Sequence, residues 1–73
     1  MDNTPEHLLK ADEVGKMLNL STRQVYRLEK EGKMPAAVHL SRSVRWLESE
    51  INAWLKAGTP DRQTWEKMKR ELT

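Results

Sequence analysis

The sequence predicts a mainly α-helical domain with one small β-hairpin, and three observations carry that prediction. Residues 21–32 read as one capped helix: Ser21 followed by Gln24 is a capping-box signature, and Gly32 is the residue type expected just past a helix end. Val38-His39-Leu40 and Val44-Arg45-Trp46 alternate apolar and polar residues around Ser41-Arg42-Ser43, the period-two pattern of a hairpin. Leu47, Ile51, Trp54 and Leu55 then recur at i, i+4, i+7 and i+8, the apolar stripe of a helix laid on a core.

Taken in order, residues 1–8 contain a proline and no periodicity, and read as a flexible lead-in. A first helix is expected from Ala11 to Leu18, because Ala11, Val14, Gly15 and Leu18 make an apolar stripe and Asp12 and Glu13 suit the positive end of its dipole. Gly15 costs about 1 kcal/mol against alanine in a helix interior, so close approach of the next helix is the expected reason for it. Asn19 can take the left-handed conformation that ends a helix, and Leu20 plugs the corner before Ser21 starts the second. In that second helix Val25 and Leu28 face one way, while Arg23, Arg27 and Lys30 form a cationic stripe on the other. Met34-Pro35 blocks further helix. In the hairpin, Val38, Leu40, Val44 and Trp46 are expected on the inner face, with His39 and Arg45 pointing outward. The third helix should start at Leu47 or Glu48, with Ser49 as an alternative cap, and stop at Gly58. Thr59-Pro60-Asp61 looks like a fresh helix start, and Trp65, Met68 and Leu72 give this fourth helix an apolar stripe.

Seventy-three residues make one small domain, near the size at which a single core is only just sufficient. There is no cysteine to form a disulfide or a thiolate metal site, so stability must come from packing, with the three tryptophans carrying much of it. No apolar run approaches the length of a membrane span and the polar N-terminus has no signal-peptide pattern, so a cytoplasmic protein without membrane contact is expected. The net charge is +2, but it is unevenly placed: residues 1–20 carry −2, residues 21–46 carry +4, and residues 47–73 are neutral. Positive charge gathered in one central block is the footprint expected of a protein that meets a polyanion. A helix apolar on one side and cationic on the other suits the major groove of double-stranded DNA, although the same pattern on an isolated helix reads as an ordinary solvated face.

Helix, turn, helix, hairpin, helix is the order of a winged helix-turn-helix domain, here residues 1–58, followed by an appended helix or tail in residues 59–73. Leu8-Leu9-Lys10-Ala11-Asp12-Glu13-Val14, Leu18-Asn19-Leu20-Ser21-Thr22-Arg23-Gln24-Val25-Tyr26-Arg27-Leu28 and Gly32-Lys33-Met34-Pro35 resemble the MerR-like group of phage excisionases and AlpA-type regulators. Arg42-Ser43-Val44-Arg45-Trp46 and Ser49-Glu50-Ile51-Asn52-Ala53-Trp54-Leu55 are similar to that group's wing and closing helix. The resemblance covers about residues 8–57. Lys10 stands where the group usually has a capping Ser or Thr, Asn19 where it has Gly, and the wing turn is one residue tighter. What the resemblance implies is sequence-specific DNA binding by a phage or mobile-element protein. Arg23, Gln24 and Arg27 would face base edges, since arginine pairs with guanine and glutamine with adenine. Ser21, Thr22, Tyr26, Lys30, Lys33 and Arg45 would meet phosphates, and Arg42 at the wing tip would enter the minor groove. Tyr26 has packing as a competing role.

Three roles fit such a domain equally: an excisionase in DNA recombination, a regulator of transcription, or a packaging factor. Integrase binding and self-association on DNA are the partner expectations. The competing class is a protein-interaction module that meets a repressor, integrase or packaging partner without touching DNA. No enzyme constellation is present: His7 and His39 are far apart, the acids do not converge, and the glycines lie singly, so neither cofactor nor metal is expected.

Overall fold

A computed structural model describes residues 7–72, which form β1 (Leu8–Leu9), α1 (Ala11–Leu18), α2 (Thr22–Lys30), β2 (Val38–Leu40), β3 (Ser43–Leu47), α3 (Glu48–Lys56) and α4 (Arg62–Leu72). The strands make one antiparallel sheet in the order β1-β3-β2. Most of the expected lead-in, residues 1–6, lies outside the described residues, as does the side chain of Leu72. Its last part is not a lead-in: Leu8 pairs with Leu47, Leu9 with Trp46, and Leu9 is buried. A two-residue strand has no period to detect. Its pairing also seats α3, because the His7 carbonyl accepts from the Glu48 N–H at 2.9 Å, one of the donors that a helix start leaves open.

Three helices stop in the same way. At the end of α1, Asn19 is left-handed (φ 59°) and the Leu20 N–H bonds the Gly15 carbonyl at 2.7 Å. After α2, Gly32 has φ 70° and the Lys33 N–H bonds the Leu28 carbonyl at 2.9 Å. After α3, the Thr59 N–H bonds the Trp54 carbonyl at 3.0 Å. Each is a six-residue closure that satisfies a terminal carbonyl and turns the chain sharply. Gly15 is explained at the first of these turns, although not by a packed helix. A Cβ there would sit 2.5 Å from the Leu20 carbonyl oxygen, so it is the backbone of the turn that needs the space.

Leu9, Ala11, Val14, Val25, Met34, Trp46, Ile51, Trp54 and Trp65 form one buried cluster, with Leu18, Leu20 and Leu28 packed half-buried against it. All three indole N–H groups are satisfied: Trp46 by the Pro35 carbonyl (3.2 Å), Trp54 by the Pro60 carbonyl (2.7 Å) and Trp65 by Glu50 Oε2 (2.9 Å). Trp65 therefore anchors α4 in the same core as Trp54. The Asp61 carboxylate caps that helix through the Thr64 N–H at 2.9 Å, and this bond, with one from the Thr64 hydroxyl, holds the carboxyl below its ordinary pKa.

The hairpin corrects one expectation. Val38 lies opposite Arg45, His39 opposite Val44, and Leu40 opposite Ser43, leaving only Ser41 and Arg42 in the turn. Directly opposed residues share a face. Val38 and Leu40 thus share theirs with Arg45, while His39 shares the face of Val44 and Trp46. A three-residue turn would have given the expected arrangement; one residue fewer turns β2 over. Ser41 takes φ 59° to allow the tight turn, and Leu40 is left 50% exposed.

Candidate nucleic-acid interface

α2 begins with the expected capping box. Ser21 Oγ accepts from the Gln24 N–H at 3.2 Å, and Gln24 Oε1 accepts from the Ser21 N–H at 2.9 Å. This arrangement limits what Gln24 can read. Its carboxamide oxygen already accepts from the Ser21 N–H, so bidentate pairing with adenine, which needs both ends, has to share that oxygen through its second lone pair or break the cap.

Along the same helix Val25 is fully buried, Leu28 is half-buried, and Arg23, Arg27 and Lys30 are exposed. None of the three cations makes a hydrogen bond or ion pair through its side chain to a described residue. Arg23 and Arg27, four residues apart, repel each other by a few tenths of a kcal/mol. Arg23, Tyr26, Arg27, Lys30 and Glu31 line one shallow depression. Leu20, Gln24, Arg27, Leu28, Glu31 and Lys33 line another, so Arg27 and Glu31 stand on the ridge between them. The two acids nearby are already committed: Glu31 lies 3.5 Å from Lys33, and Glu29 accepts from the Ala37 N–H at 3.4 Å.

Tyr26 packs, as its competing role expects, and also stays partly exposed. Its ring is tilted against Trp46 with centroids 6.2 Å apart, yet 46% of the residue stays exposed beside Arg23 and Arg27. That contact joins α2 to β3, so the β2–β3 hairpin flanks the cationic helix. Ser21 and Thr22 are exposed at the helix start and Arg42 is exposed in the hairpin turn. Arg45 is half-buried and donates to the Val44 carbonyl at 2.9 Å, which ties its guanidinium back along its own strand.

Comparison with known proteins gives the family. The family described as prophage CP4-57 regulatory protein (AlpA) matches residues 7–59. The chain belongs to the AlpA family. A curated relative, the uncharacterized protein ORF88 of Enterobacteria phage P4, is 38% identical over 55 residues, covering 74% of this chain and 62% of ORF88. The chain thus spans about three-fifths of that relative's length. No solved structure matches. The AlpA match begins at the residue whose carbonyl seats α3 and takes in everything through the turn after it, leaving α4 outside.

One residue at this site was not legible beforehand. Arg62, the first residue of α4, reaches the far end of α2: its Nη2 donates to the Glu29 carbonyl at 2.7 Å and its Nε to the Met34 carbonyl at 3.1 Å. No motif flags a residue whose partners lie about thirty positions away. Among the described residues no group of three His, Cys, Asp or Glu could hold a metal, and no helix is long and apolar enough to cross a membrane.

Proposed function

We propose that this AlpA-family protein is a sequence-specific double-stranded DNA-binding regulator of phage or mobile-element genes, with a MerR-like winged helix-turn-helix. In this reading α2 lies in the major groove and the β2–β3 turn lies over the adjacent minor groove. The observation that carries it is the cationic face of α2, without a side-chain partner among the described residues and exposed opposite a fully buried Val25. Three cations on one exposed helix face repel each other, and a phosphate-lined groove removes that repulsion.

Arg23 and Arg27 are the base readers. Gln24 contributes one donor, and Ser21, Thr22, Tyr26, Lys30 and Lys33 position the helix on phosphates. Arg42 is the minor-groove residue of the wing. Arg45, tied to its own strand, must give up or share its carbonyl bond to reach a phosphate.

The test is a footprint of the purified protein on DNA from the element that carries its gene, followed by binding at fixed salt. Protection over a promoter supports regulation; tandem sites beside a recombination core identify an excisionase instead. Arg23→Ala or Arg27→Ala should each cost about 1–3 kcal/mol and relax preference at one base pair. Arg42→Ala should flatten the dependence on A·T content beside the site and lose competition by distamycin. Wild-type affinity in both helix variants, or binding to DNA that is absent or insensitive to salt, refutes the reading and leaves the protein-interaction module in its place.

A further inference from the structure

The last turn of a helix is its loosest part, because its terminal carbonyls have no partner within the helix. In α2 that turn carries Arg27, one of the two proposed base readers, and Lys30, a proposed phosphate contact. The turn after α2 satisfies the Leu28 and Glu29 carbonyls once each, through Lys33 and Gly32. A second layer then comes from α4. The Arg62 N–H bonds the Gly32 carbonyl at 2.8 Å, its Nη2 takes the remaining lone pair of the Glu29 carbonyl at 2.7 Å, and its Nε takes the Met34 carbonyl at 3.1 Å. The Glu29 carboxylate lies 3.5 Å from the same guanidinium nitrogen.

We propose that Arg62 is a positioning residue for DNA recognition: it clasps the C-terminal end of α2 and holds Arg27 at the angle that base reading requires. The proposal rests on the DNA-binding reading above, and it makes α4 part of the reading apparatus, although α4 lies beyond the family match. Two features suit Arg62 to the task. Its planar fork presents several fixed donors at once, which lysine cannot do. Its own position is set from both sides, by the Asp61 cap just before it and by buried Trp65 one turn along α4. The surrounding groups are accounted for as well, since the Glu29 carboxylate that meets it also accepts the Ala37 N–H. The clasp therefore joins three segments: the end of α2, the Met34 loop and the start of α4.

Base contacts and phosphate contacts respond differently to a loose helix end. A bidentate base contact fails when its helix tilts, whereas a cation near a phosphate tolerates displacement in water. Loss of the clasp should thus lower discrimination more than affinity for arbitrary DNA. A purely structural role would lower the melting temperature and leave discrimination, measured well below melting, unchanged.

The test uses the full chain, Arg62→Lys to keep the charge, and Arg62→Gln as a second variant. Affinities are measured at one salt concentration, well below melting, for the footprinted duplex and a scrambled duplex of equal length. In parallel, amide hydrogen exchange is followed in the free proteins at Gly32 and Lys33, with the Val25 amide as control. We expect the ratio of specific to scrambled affinity to fall about fivefold or more in both variants, the low end of what one bidentate contact discriminates. In Arg62→Lys the affinity for scrambled DNA should stay unchanged. Exchange at Gly32 and Lys33 should quicken about tenfold while Val25 holds. Faster exchange with an unchanged ratio makes Arg62 structural only and overturns the proposal, as does unchanged exchange. A wild-type protein that prefers no duplex overturns the DNA reading itself; the exchange result then reports only on the fold.

Discussion

Replacing Gly15 by alanine sets two effects of known size against each other. Alanine in a helix interior gains about 1 kcal/mol over glycine. Against this, the new methyl carbon would lie 2.5 Å from the Leu20 carbonyl oxygen, well inside the closest approach such atoms make. The obstructing atom is backbone, and it belongs to the residue whose N–H holds the Gly15 carbonyl at 2.7 Å. Making room therefore stretches the bond that closes α1. Overpacking typically costs about 1–3 kcal/mol, and a weakened closing bond adds up to about 1 kcal/mol. The net expectation is a loss of about 1–2 kcal/mol. For a domain of this size that lowers the melting temperature by about 5–15 °C. Thermal and urea unfolding followed by tryptophan fluorescence measure it directly. If Gly15→Ala melts at or above the wild-type temperature, the turn yields freely, helix propensity decides, and the clearance argument is wrong.

Two further outcomes follow from the helix starts and from the α3–α4 contact. Lys10 is the N-cap of α1, where Glu13 accepts its N–H at 2.8 Å but no side-chain oxygen answers the Glu13 N–H; Lys10→Ser supplies one and should raise stability by about 1 kcal/mol, read as a higher urea midpoint with an unchanged slope. Burial lowers the Lys69 pKa, but hydrogen bonds to Glu50 and Glu66, reinforced by their charges, outweigh it and hold the pKa above its ordinary value. The stabilisation is thus complete below the unfolded-chain value of about 10.4 and is lost as pH rises through the higher folded value. Lys69→Met should melt below wild type at pH 8, with the gap narrowing as pH rises above the unfolded-chain value of about 10.4; a gap that keeps its full size throughout that alkaline range refutes the ion-pair account.

The parts of this fold that could be read in advance are those set by neighbours in sequence. Ala11–Leu18 is legible because its stripe, its acidic first turn and Asn19 all lie within nine residues, and the Ser21–Gln24 box marks the start of α2 for the same reason. The cationic ridge follows once Val25 and Leu28 are known to face inward. Where the sequence reading fails, the deciding fact is remote or differs by one residue. Leu8–Leu9 becomes a strand only because Trp46 and Leu47 lie beside it. The faces of β2 turn over on the length of a turn. Gln24 satisfies the rule for a cap and the rule for a base reader, and only the geometry shows that its oxygen is already engaged. Arg62 carries no local signal because its partners are assembled by the packing of Trp65.

The pairing of β1 with β3 has a consequence in time. Leu8 and Leu9 leave the ribosome early, but their partners are Leu47 and Trp46, so the first strand waits for nearly forty further residues before it can dock. Helices α1 and α2, built from local contacts, can form during that interval, since short-range contacts form fast and distant ones must first close a long loop. Arg62 arrives later still, and with it the bonds to the Glu29 and Met34 carbonyls. The helix that faces outward is thus among the first pieces of the nascent chain to take shape and among the last to be secured.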